Sequence, residues 1–127
     1  MSGYVSKSDY RLAWGQAYKI DPPVPLCVDI ELASACNAKC TFCLYGDKDW
    51  YDSMKDVDWD GKPKKRFMET DLAMRIIGDC ARLGVPSLKM NFRGESTLHK
   101  DYSRIMEYAA AWGWNGERGH ISPTDWA

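Results

Sequence analysis

Three cysteines fall in one short run, ACNAKCTFCLYG: Cys36, Cys40 and Cys43, spaced C-x3-C-x2-C. Oxidised thiols pair, so three do not make a disulfide set, and a closed structural zinc site asks for four ligands. An iron–sulfur cube suits the count better. It has four irons, normally held by four thiolates. Three thiolates leave one iron open to a small molecule, and an open position separates a catalytic metal site from a structural one. The run also departs from the ferredoxin spacing C-x2-C-x2-C-x3-C-P, since no fourth Cys-Pro follows. On these residues alone a zinc-binding loop stays open. Cys27 and Cys80 sit in apolar patterns and read as buried small residues. His99 and His120 lack ligand-spaced partners and read as surface or cap residues.

The cysteine run needs elements to hold it. VPLCVDIEL, residues 24–32, alternates with period two and predicts a strand. Leu26, Val28, Ile30 and Leu32 take one face; Cys27, Asp29 and Glu31 take the other. The cysteines follow directly. A helix is expected from Thr70, as N-cap, to a stop at Gly84, with Leu72, Ala73, Ile76, Ile77, Cys80 and Leu83 as its apolar stripe. SLKMNF, 87–92, predicts a second strand, with Leu88, Met90 and Phe92 on one face and Lys89, Asn91 and then Arg93 on the other. A second helix is expected over about 100–112, with Tyr102, Ile105, Met106 and Ala109 inward and Gly113 as its stop. This strand–helix–strand–helix order is that of a parallel α/β sheet.

CNAKCTFC resembles the signature of the radical S-adenosylmethionine (SAM) superfamily. It follows the first predicted strand, Asn37 follows the first cysteine, and Phe42 precedes the third. NFRGEST, at the end of the second strand, resembles the family's Gly-Gly-Glu segment. The resemblance covers residues 24 to about 112. It implies a 4Fe–4S cluster on Cys36, Cys40 and Cys43, with SAM on the fourth iron. It further implies reductive cleavage of SAM to a 5′-deoxyadenosyl radical that takes a hydrogen atom from a substrate. Phe42 would lie beside the SAM adenine, Gly94 would admit SAM closely, and Glu95 would pair with its ammonium; Asn91 and Arg93 are weaker candidates. Arg93 stands where the family usually has glycine. A one-electron reductant of the flavodoxin or ferredoxin type would be a partner.

The resemblance implies a partial (β/α) barrel of about two βα units, apparently truncated, between a lead-in over 1–23 and an irregular tail over 113–127. A partner or oligomer would then complete the barrel. The other reading is a non-catalytic remnant that holds a cluster or zinc. Whichever holds, alternation places acids (Asp29, Glu31) on one strand face and bases (Lys89, Arg93) on its neighbour, where they are expected to pair and frame the cavity.

The chain has 127 residues, 45% hydrophobic and 28% charged, with a formal net charge of −1. That is room for one small domain. The balance gives no electrostatic case for nucleic acid or a membrane surface. There is no basic start followed by an apolar core and no run long enough to span a bilayer. Five cysteines without a secretory signal suggest a reducing, cytoplasmic setting. Residues 47–66 read as a solvated charged loop. Asp56, Asp58, Asp60 and Gly61 mimic the opening of a calcium loop, but Phe67 takes the twelfth position where glutamate belongs. Tyr4, Tyr10, Trp14 and Tyr18 of the lead-in carry no assigned role.

Overall fold

The computed structural model describes residues 7–53, 66–114 and 120–122. The acidic run around Asp56–Asp60 and most of the charged loop lie outside them. The described elements are α1 (Lys7–Gln16), β1 (Val28–Asp29), a 3-10 turn (Leu44–Gly46), α2 (Lys48–Ser53), α3 (Thr70–Leu83), β2 (Ser87–Lys89), a second 3-10 turn (Ser96–Leu98), α4 (Tyr102–Ala111) and β3 (His120–Ser122).

The three strands form one parallel sheet in the order β1-β2-β3. Parallel neighbours need a crossover, which α3 supplies between β1 and β2 and α4 between β2 and β3. Val28 is opposite Leu88 and Asp29 opposite Lys89. The Ile30 amide adds a bond to the Lys89 carbonyl at 2.7 Å. β3 corrects the expectation of an irregular tail: Ser87, Leu88 and Lys89 pair with His120, Ile121 and Ser122. A strand this short, with glycine and proline close by, has too few alternating residues to announce itself.

The core is where alternation and helical spacing place it. Ile30, Leu32, Leu88 and Met90 from the strands meet Ala73, Ile77 and Cys80 of α3 and Ile105 and Ala109 of α4. Seven expected inward residues are not fully enclosed. Leu72, Leu83 and Phe92 are exposed, and Val28, Ile76, Tyr102 and Met106 are only partly buried against the core. Leu72 and Leu83 flank the stripe at the helix ends, and Phe92 follows the last residue that β2 holds in the sheet. Trp114 closes the bottom of the core, with its indole N–H on the Val85 carbonyl at 3.2 Å. Gly84 ends α3 in the left-handed region at φ 78°, which a side chain would resist.

Two sequence expectations change at the helix starts. Glu69, not Thr70, is the N-cap of α3. The Thr70 hydroxyl instead donates to Asp101 Oδ2 at 2.5 Å, which holds the Asp101 carboxyl below its usual range. The charged loop also begins with a helix, α2, whose first turn is capped by Asp47 Oδ1 accepting from the Trp50 amide at 2.9 Å.

His99 corrects the surface-or-cap reading. It is buried, its Nε2 lies 2.6 Å from the Met68 carbonyl, and its Nδ1 accepts the Asp101 amide at 3.0 Å. Those two contacts set the tautomer: Nε2 carries the proton and Nδ1 does not. The ring ties the approach to α3 to the approach to α4. Removing it strands two backbone groups in a buried place, so His99→Ala is expected to lower stability by about 2–3 kcal/mol. Equilibrium urea unfolding measures this; an unchanged midpoint would show the ring to be dispensable.

Candidate cluster site

The cysteine loop leaves the sheet through a buried stretch, Leu32 to Ala35. Buried backbone must find hydrogen-bond partners, and this stretch finds them on two sides. On one side it meets residues 66–68. The Ser34 amide donates to the Arg66 carbonyl at 2.9 Å, the Arg66 amide to Ser34 Oγ at 2.8 Å, and the Met68 amide to the Leu32 carbonyl at 2.9 Å. An antiparallel bridge joins Ala33 and Phe67 between them. On the other side, the Glu95 amide donates to the Ala35 carbonyl at 2.8 Å.

Gly94 explains how that second side fits. A Cβ at Gly94 would stand 2.1 Å from the Ala33 carbonyl oxygen and 2.6 Å from that of Ala35. The close approach that the sequence assigned to SAM is thus made, in this chain, with the root of the cysteine loop. The far end of the loop is closed by a second glycine. A Cβ at Gly46 would stand 2.2 Å from the Cys40 carbonyl oxygen. The Cys43 amide bonds Cys40, and the Gly46 amide bonds Cys43. Gly46 escaped the sequence reading; its position three residues after Cys43, in an otherwise aromatic and charged stretch, is the signal that could have found it.

Cys36, Cys40 and Cys43 are all free thiols, with Cys40 exposed and the other two partly so. Among the described residues, no three histidine, cysteine or acidic side chains converge on one point that could hold a metal ion. A cube asks one thiolate for each iron it holds. The donor set fits a cluster in chemistry and in its placement on one loop. Cys27 and Cys80 stay out of it: burial pushes both thiols up, away from the thiolate a metal would need.

The other candidates are placed as follows. Phe42 is 92% exposed. Glu95 caps the turn Ser96–Leu98, accepting from the Thr97 amide at 3.1 Å and the Thr97 hydroxyl at 2.8 Å. Ser96 Oγ in turn bonds the Met90 carbonyl. Asn91 carries a buried Oδ1 with no hydrogen-bond partner among the described residues. Arg93 turns to Glu31, with Nε 3.2 Å from Oε1, and Lys89 lies 3.8 Å from Asp29. The cross-strand pairing expected from alternation is present at both positions.

No family model matches the chain, and no solved structure does. The chain is similar to two proteins named GTP 3′,8-cyclase, from two strains of Stenotrophomonas maltophilia. Each is 33% identical over 82 residues, which is 65% of this chain and 22% of the relative. The chain therefore spans less than a quarter of the length of the curated relatives it matches.

The glycine contacts make a direct test. Gly94→Ala must push backbone away from backbone, and is expected to cost about 1–3 kcal/mol. Gly15 in α1 has nothing within 4 Å of its would-be Cβ. Gly15→Ala is expected to be neutral or stabilising by up to about 1 kcal/mol, because glycine is a poor helix former. Urea midpoints of the two variants should move in opposite directions or differ clearly. Equal midpoints would contradict the contact.

Proposed function

We propose that this chain is the cluster-binding portion of a radical SAM enzyme. The observation that carries the reading is the loop with three free thiols, C-x3-C-x2-C, rooted against the Arg93-Gly94-Glu95 segment by the Glu95–Ala35 hydrogen bond. The similarity to GTP 3′,8-cyclase, a radical SAM enzyme, supports the superfamily and no particular substrate.

Cys36, Cys40 and Cys43 would hold a 4Fe–4S cluster and leave its fourth iron open. A reduced cluster would supply the electron that cleaves SAM to methionine and a 5′-deoxyadenosyl radical. The chain's own residues then have binding work. Asn91 offers a buried acceptor that lacks a donor among the described residues, which suits an ammonium or hydroxyl of a ligand. Exposed Phe42 offers a ring for the adenine. To meet the SAM ammonium, the Glu95 carboxylate would exchange or share its bonds to Thr97. The Gly94 contact with Ala33 and Ala35 keeps this segment beside the loop.

The remaining parts of the reading follow from the family. A one-electron reductant of the flavodoxin or ferredoxin type would reduce the cluster, in a reducing compartment such as the cytoplasm. The three parallel strands would be one arc of a (β/α) barrel that further strands complete. No helix among the described residues is long and apolar enough to cross a membrane.

Anaerobic reconstitution with iron and sulfide, followed by reduction and addition of SAM, tests the proposal. The chain is expected to take up a cluster and to release methionine and 5′-deoxyadenosine. Cys36→Ala, Cys40→Ala and Cys43→Ala should each abolish both, while Cys27→Ala and Cys80→Ala should retain the cluster. A cluster without SAM cleavage would favour a non-catalytic cluster module. Zinc in the isolated protein, with no cluster obtainable, would overturn both readings.

A further inference from the structure

Arg93 and Glu31 occupy matching places in the two chain segments that meet at the loop root. Glu31 directly precedes the buried stretch Leu32–Ala35, and Arg93 directly precedes Gly94 and Glu95. The guanidinium reaches the carboxylate through three contacts: Nε to Oε1 at 3.2 Å, Nε to Oε2 at 3.3 Å, and a terminal nitrogen to Oε2 at 3.3 Å. The side chains are 36% and 23% exposed, so solvent screens the pair only in part. A forked arginine–carboxylate contact fixes direction as well as distance. Just beyond it come the Gly94 approach to Ala33 and Ala35 and the Glu95–Ala35 hydrogen bond. Neither segment is in a named strand at this point, because β1 ends at Asp29 and β2 at Lys89.

We infer that the Glu31–Arg93 ion pair is a latch that seats the root of the cysteine loop on the Gly94–Glu95 segment. Both are then positioning residues for the cluster loop. The latch itself stands on geometry, and its consequence for the cluster rests on the proposed function. Lys89 and Asp29 do not duplicate it. At 3.8 Å they join residues that the sheet already pairs.

Amide hydrogen exchange on the full chain without iron reads the latch directly. Glu31→Gln and Arg93→Gln are each expected to speed exchange of the Glu95 amide by up to about fivefold, the upper end for losing a partly exposed ion pair. The amides of Met68 and Val85, bonded to Leu32 and Cys80, should not change. Reversing the pair in Glu31→Arg/Arg93→Glu should restore slow exchange at Glu95. The same variants are then reconstituted with iron and sulfide. The single variants should hold less iron per chain and show a weaker SAM-induced change in the electron paramagnetic resonance spectrum of the reduced cluster, and the reversed pair should recover both.

Unchanged Glu95 exchange would overturn the latch. So would faster exchange at all three amides, which would mean a general loss of stability, or a reversed pair that fails to restore Glu95. Faster Glu95 exchange with unaltered iron content and spectrum would overturn the positioning role. If the unaltered chain takes up no cluster, the proposed function fails, while the exchange results still decide the latch.

Discussion

The structure turns on four residues of buried backbone, Leu32 to Ala35, at the point where the chain leaves the sheet and enters the cysteine loop. Such a stretch is costly unless its amides and carbonyls are met. Residues 66–68 meet it from one side and Gly94–Glu95 from the other. The cysteines themselves are exposed or partly so, and the turn that Gly46 closes ties Cys40 to Cys43. Their position is therefore inherited from the root, and the root inherits it from α3, which delivers residues 66–68, and from β2, which delivers Gly94 and Glu95.

Electrostatics follows the same geometry. Acids on one strand face bases on the next, and Glu31, Lys89 and Arg93 are partly buried, so each of these charges would be unfavourable alone. Asp29 with Lys89 lies in the sheet, and Glu31 with Arg93 lies past its edge. Asn91 falls between the two bases along its strand, and its buried Oδ1 lacks a donor among the described residues. A row of paired charges around one unpartnered acceptor differs from an apolar interior, which would leave nothing to orient a polar ligand.

Much of this was legible in the sequence because it depends on period and spacing. Alternation over residues 24–32 and 87–92 located both strands, assigned Leu88 and Met90 to the core, and set the acids opposite the bases. Helical spacing located α3 and α4 to within about two residues. What escaped depends on contacts between distant segments. Nothing local marks His99 as buried: the Asp101 amide two residues on is a local partner, but the Met68 carbonyl comes from a distant segment, the approach to α3. Gly94 was legible as a site of close approach, but not that the approaching group is the chain's own Ala33–Ala35 backbone. β3 was missed because it is too short to show a period and is defined by its pairing to β2.

The central claim is that three thiolates on this loop leave one iron of a cube for SAM. Mössbauer spectroscopy of the chain reconstituted with isotopically enriched iron, with and without SAM, addresses it most directly. The account predicts a four-iron cluster in which one iron differs from the other three, and in which SAM shifts the signal of that iron alone. Four equivalent irons, unaltered by SAM, would contradict it.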